Sequence, residues 1–216
     1  MQNMKYAILM GDVRGSRELR GEALARCLEV LTIEANGKFA GEVASPLTVT
    51  LGDEFQGVLK SEGAATRVIL WMERKLLELG PKWELGAIQL RYALNWGEIE
   101  SPLNRERAHG MLGAGLTRAR EMLSEGKRES RYRFNLQDGG KTETLGELFE
   151  VLEALRRDWK SQDFDLIRRL LEEEDDTLLG KEFARDRTSI YRRRLSLKTD
   201  AYLILETLIL KTIKAC

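Results

Sequence analysis

Hydrophobic and polar positions along the chain change their period near residue 140. Before that point strand and helix patterns alternate. Lys5 to Met10 is a short run apolar on both faces, which predicts a central strand ending at Gly11-Asp12. From Glu18 to about Phe39, Leu24, Leu28, Leu31, Ala35 and Phe39 fall on one helical face. Pro46 to Leu51 alternates, with Leu47, Val49 and Leu51 on one side and Thr48 and Thr50 on the other. Gly52-Asp53 signals a turn, and Phe55 to Leu59 reads as the return strand. Glu62 to Leu79 is a second helix, expected to stop before Gly80-Pro81. Ile88 to Trp96 alternates again, Leu112 to Leu123 is a third helix, and Tyr132 to Leu136 an edge strand.

This order is βαββαβ, the split-βαβ or ferredoxin-like pattern of an α+β domain. Right-handed crossovers put the first two helices on one face of an antiparallel sheet. The other face is then expected to be open, lined by Thr48, Thr50, Gln89, Arg91 and Asn95. After about Gly140 only helices are predicted: Leu145 to Trp159, Asp163 to Glu174, Leu178 to Arg185, Thr188 to Leu195 and Asp200 to Lys214. The division expected from this change is a first domain over 1–143, a connecting helix over 144–160 and an all-α domain over 161–216.

Composition narrows the chemistry. The 216 residues carry 35 basic and 35 acidic side chains, so a uniformly basic coat is excluded. A net charge of zero leaves room for a local basic patch. No stretch approaches the roughly 18 uninterrupted apolar residues of a membrane span. The N-terminal apolar run is too short for a signal peptide, so a cytoplasmic protein is expected. Cys27 and Cys216 have no metal spacing and read as reduced thiols. His109 is the single histidine and reads as a loop residue, so any metal would sit on carboxylates, which favours Mg²⁺ or Mn²⁺.

Three motifs stand out. In Gly11-Asp12-Val13-Arg14-Gly15-Ser16-Arg17 an Asp closes the first strand, and Arg14, Gly15, Ser16 and Arg17 form an anion cradle before a helix. A turn capped by Ser16 accounts for the same residues. Thr50-Leu51-Gly52-Asp53-Glu54-Phe55-Gln56 puts carboxylates beside Gly52 at a hairpin tip, where an ordinary Asp turn is the plain alternative. In the βαββαβ arrangement Asp12 and Asp53 come together at one sheet edge. Like charges there repel unless a cation joins them, and a carboxylate pair with substrate phosphates suits Mg²⁺. The third motif is Thr177 to Leu195, two helices around a turn at Arg185 to Arg187. It reads as a helix-turn-helix whose second helix presents Arg187, Thr188, Ser189, Tyr191, Arg192 and Arg193 to double-stranded DNA. Residues 181–198 hold seven basic and two acidic side chains. A basic hairpin packed on the first domain, or one forming a dimer interface, fits the same pattern.

The first-strand Asp and the hairpin resemble the palm domain of nucleotidyl cyclases. More closely, GDVRGSR, TLGDEFQG, RYALNWGEI and GAGLTRARE resemble the SatD family of bacterial proteins, over about residues 4–215. The cyclase resemblance implies a nucleotide ligand, Asp12 and Asp53 as metal carboxylates, and a homodimer. It also implies a change in catalysis. The helix GAGLTRARE has Thr117 where cyclases place an Asn and Glu121 where they place an Arg, and only one Gly precedes Asp53. Three functions follow. One is a regulator with a nucleotide- or metal-binding palm and a DNA-binding tail. Another is a Mg²⁺-dependent cyclase or nucleotidyltransferase using Asp12 and Asp53. The third is a non-catalytic stress-response interaction protein.

Overall fold

The computed structural model describes residues 4–125 and 130–214; Cys216 lies outside them. Strand β1 (Lys5–Val13) is the centre of a five-stranded sheet. Its residues from Ala7 onward are all buried, as the two-faced apolar run requires. Antiparallel neighbours flank it: β3 (Glu54–Leu59) on one side and β4 (Leu90–Glu98) on the other. Outside β3 lies β2 (Val43–Val49), and outside β4 lies β5 (Tyr132–Asn135), parallel to it. The order β2-β3-β1-β4 is that of the βαββαβ reading, and β5 makes the sheet mixed. Strand β2 begins before Pro46 and keeps that residue because it is an edge strand with an irregular register between Ser45 and Thr48.

Helices α1 (Gly21–Lys38) and α2 (Glu62–Lys82) cover one sheet face. Leu24, Leu28 and Leu31 of α1 and Val68, Ile69 and Met72 of α2 share one apolar cluster with Ala7, Leu9, Phe55 and Leu94. Helix α2 does not stop before Gly80. It runs through Pro81 and closes at Trp83, whose amide donates to the Leu79 carbonyl. A proline in the last turn removes one helical bond rather than breaking the helix midway.

The other face is not open. Helix α3 (Ala114–Ser124) and the segment 99–113 lie on it, and Ile8, Met10 and Val58 pack there with Ala108, Met111, Leu116 and Ala119. Asn95 and Thr48, two of the polar positions expected on an open face, bond this cover, and so does Gln56. Asn95 donates to the Gly115 carbonyl at 2.8 Å, Gln56 donates to the Ala108 carbonyl, and Thr48 accepts from the Ala108 amide at 3.2 Å. Gly97 and Gly115 let strand and helix backbones meet: a Cβ on Gly97 would lie 2.6 Å from the Gly115 Cα.

After the sheet come α4 (Gly139–Arg156), α5 (Phe164–Leu170), α6 (Asp176–Glu182), α7 (Arg187–Leu197) and α8 (Thr199–Lys214). Leu145, Phe149, Trp159, Ile167, Ile190, Tyr202 and Ile209 belong to the same apolar cluster as α1, α2 and the sheet. The hydrophobic core therefore runs across the boundary at which the sequence pattern changes. The acidic run Glu172 to Asp176 divides between two roles. Asp175 caps α6 by accepting from the Thr177 amide at 2.7 Å, and Asp176 is buried against Arg194. Among the described residues no helix is long and apolar enough to cross a membrane.

Candidate functional site

The first candidate site lies at the sheet end where β1 finishes and β3, β4 and β5 begin. Register sets it out. Asp12 stands opposite Glu54 on β3 and opposite Arg91 on β4, so three charged residues form a row across three strands. Strand alternation puts this row on the α3 face, in line with Met10 and Ile8. Arg91 grips Asp12 with two bonds. Its Nε donates to Oδ1 at 2.7 Å, and its Nη2 donates to Oδ2. Asp12 is 8% exposed, so the pair sits largely out of water, where a guanidinium fork matches a carboxylate well.

Sequence reasoning paired Asp12 with Asp53. The direct cross-strand neighbour is Glu54, while Asp53 lies in the turn and its carbonyl accepts from the Val13 amide at 3.0 Å. Gly52 takes the left-handed conformation that this turn needs, at φ 58°. Arg91 and Glu54 were missed as site residues. The signal for them was parity: charges in otherwise apolar strands, each one step from a buried residue pointing the other way.

A cavity of about 80 Å³ lies beside the row, lined by Asp12, Thr50, Glu54, Gln56, Arg120 and Ser124. Small-molecule pockets start near 300 Å³, so this space suits water rather than a nucleotide. Of the helix expected to carry catalytic groups, Thr117 and Glu121 are exposed, and Arg118 pairs with Glu121 and Glu125. Arg120 is its one arginine lining the cavity.

The donor set does not fit a divalent metal. Both oxygens of Asp12 are held by Arg91, and among the described residues no three His, Cys, Asp or Glu side chains converge. A cation at Asp12 would have to displace a guanidinium already bound in the geometry it prefers.

The anion cradle folds as a loop rather than as a helix start. Gly15 adopts φ 71°, Ser16–Glu18 forms a 3₁₀ turn, and α1 begins only at Gly21. The cap positions are Gly15 for the turn and Arg20 for α1 rather than Ser16, and Arg14, Gly15 and Arg17 are exposed. The Arg14 amide donates to the Gln89 carbonyl at 2.9 Å. Gln89 in turn lines a recess of about 400 Å³ together with Arg131, Glu153, Arg156, Arg157, Trp159 and Phe164. Here Arg131 is 4% exposed and fully engaged: it bonds Glu153 at 2.9 Å, the Leu90 carbonyl at 2.6 Å and the Tyr132 hydroxyl at 2.8 Å, and it also pairs with Glu73.

The second candidate site is the hairpin of α6 and α7, joined through residues 183–186. Asp186 caps α7, accepting from the Ser189 amide at 2.9 Å and from its hydroxyl at 2.6 Å. These bonds, the hydroxyl first, hold the Asp186 carboxyl below its ordinary pKa. Ser189 is thus half-buried in the cap, and Arg193 pairs with Asp163 at 2.5 Å. Arg187, Thr188, Tyr191 and Arg192 are exposed. The opposite side of α7 carries Ile190, Arg194 and Leu197, all buried.

The sequence model of the SatD family matches residues 6–195. No curated protein matches the chain. Among solved structures, a bacterial light-regulated adenylyl cyclase aligns at 16% identity and a TM-score of 0.46, over 62% of this chain and 43% of that one. The guanylyl cyclase Cya2 aligns at 16% identity and a TM-score of 0.44, over 57% of this chain and 71% of that one. This chain therefore spans less than half of the light-regulated enzyme. At these scores the likeness carries no argument about function.

Proposed function

The chain belongs to the SatD family, and we propose that it is a regulator that binds double-stranded DNA through α7 and a small anionic ligand, such as a nucleotide, at the palm. The carrying observation is the division of α7 into two faces. Ile190, Arg194 and Leu197 anchor it, leaving Arg187, Thr188, Tyr191 and Arg192 outward from a capped N-terminus. Cations at the start of an exposed helix suit phosphate contacts, and Thr and Tyr suit base edges or sugar. For the ligand, the exposed Arg14–Arg17 loop is joined through the Arg14 amide to Gln89, which lines a recess of about 400 Å³ walled by sheet-domain residues, by α4 and by Phe164. A ligand there would touch both parts. In this reading a homodimer sets two α7 helices over two half-sites about 34 Å apart.

The alternative of Mg²⁺-dependent nucleotidyl transfer on Asp12 and Asp53 has no support from the donor set, because Arg91 occupies Asp12.

Binding of a labelled duplex, followed by anisotropy against salt, tests the DNA reading. Arg187→Ala with Arg192→Ala is expected to leave folding intact and to reduce the slope of log affinity against log salt by about two. Absence of binding at low salt, or an unchanged slope in the double variant, would overturn it. Loss of a nucleotide-dependent melting shift in Arg14→Ala/Arg17→Ala tests the ligand part.

A further inference from the structure

We infer that Arg91 is a built-in cation of the palm, standing where a divalent metal would otherwise join the sheet-end carboxylates, and that the palm therefore works without Mg²⁺ or Mn²⁺. The inference rests on the row Glu54–Asp12–Arg91 and is independent of whether α7 binds DNA.

Two carboxylates directly opposite each other on neighbouring strands repel, and a largely buried one cannot rely on water to screen the charge. Asp12 and Glu54 are such a pair by register. Some cation must offset them. Arg91 is fixed on the other side of Asp12 by its own strand position and bonds both carboxylate oxygens. Its side chain is 15% exposed, so the guanidinium belongs to the interior of the site rather than visiting from solvent. Asp12 cannot bind a metal and this fork through the same oxygens. Arg120, exposed on α3, lines the same small cavity as Glu54. The charge of Asp12 is offset from within the chain.

The sharpest consequence concerns removal of that charge. Arg91→Gln removes the guanidinium that bonds both oxygens of Asp12, while Glu54 still stands opposite on the next strand. The variant should melt lower than the native protein and should acquire an affinity for Mn²⁺. Arg91→Lys keeps the charge and should acquire none.

The probe is Mn²⁺ alone on the full chain, read as loss of the free-ion electron paramagnetic resonance signal and as a melting shift. The native protein and Arg91→Lys should leave the free-ion signal and the melting point unchanged at millimolar Mn²⁺. Arg91→Gln should bind about tenfold more tightly or better, a floor set by the order of one charge contact screened as in bulk water, and should regain melting temperature. Adding Asp12→Asn to Arg91→Gln should abolish that binding. Mn²⁺ binding by the native protein that disappears in Asp12→Asn overturns the inference, and so does a folded Arg91→Gln that binds no Mn²⁺. Should Arg91→Gln fail to fold, the native protein and Asp12→Asn still decide: no bound Mn²⁺ supports the built-in cation, and Asp12-dependent binding refutes it.

Discussion

Glu206 shows how one buried side chain sets a pH dependence. It lies on α8, 8% exposed, with Arg74 at 3.4 Å. Burial raises its pKa, and the Arg74 charge, the Tyr202 hydroxyl and the Arg156 charge only partly offset that. An acid whose folded pKa is raised adds stability while protonated, below about pH 4.3, the unfolded value. That contribution is lost as pH rises through the folded pKa. Glu206→Gln stays neutral throughout. Its melting temperature is expected to match the native protein below about pH 4 and to exceed it increasingly toward neutral pH. Thermal melts of both proteins across that range check this, and a variant less stable at neutral pH would show that the Arg74 contact outweighs desolvation. Single residues were also where the sequence was least informative. Asp12 was legible as a site residue because an acid after an apolar strand is conspicuous. Its partner was not, because choosing among Asp53, Glu54 and Arg91 needs the strand register, and pairing between distant strands is not written in local periodicity.

At the scale of elements, α7 explains why a run of three arginines has three fates. Arg192 is exposed, Arg193 reaches Asp163, and Arg194 is 6% exposed. Successive residues turn 100° on a helix, so a charge run cannot lie on one face. Arg194 donates to Asp176 at 2.9 Å and to the carbonyls of Leu170 and Glu173 at 2.9 and 2.7 Å, tying α7 to α6 and to the end of α5. Arg194→Met would strand the buried Asp176 and two carbonyls, at a cost of about 3–5 kcal/mol. Arg192→Ala should leave the melting temperature within error. Equal effects of the two substitutions on stability would contradict the assignment of faces. The helices of this hairpin were legible to within a few residues from apolar spacing and turn residues. The placement of α3 was not. Nothing in its amphipathic pattern says which sheet face it covers, and the segment 99–113 lacks a period because it is held through Gln56, Thr48 and Ser45 rather than by a repeating apolar face.

For the whole molecule, the question is whether the sheet domain and the helices after it are separate bodies. The change of pattern near residue 140 marks a change of secondary structure, whereas the core is continuous. Polar ties cross the same line. The Trp159 indole donates to the Leu197 carbonyl at 2.8 Å, and Arg74 of α2 donates to the Leu171 carbonyl at 2.8 Å. Glu73 of α2, 1% exposed, is paired with Arg131 and with Arg156 of α4. Helices α5 and α8 both pack on α2, whose Leu70 and Leu77 are buried in the full chain. A chain cut after Lys160 would uncover that apolar surface and leave part of the polar network without partners. The full chain is accordingly expected to unfold in one transition, with circular dichroism and tryptophan fluorescence coinciding, because Trp159 sits at the junction. The 1–160 fragment is expected to lose cooperative melting. Two separated transitions, or a fragment melting like the full chain, would show that the shared core does not couple the parts. A ligand in the recess beside Gln89 and Trp159 would then have no packed route to α7.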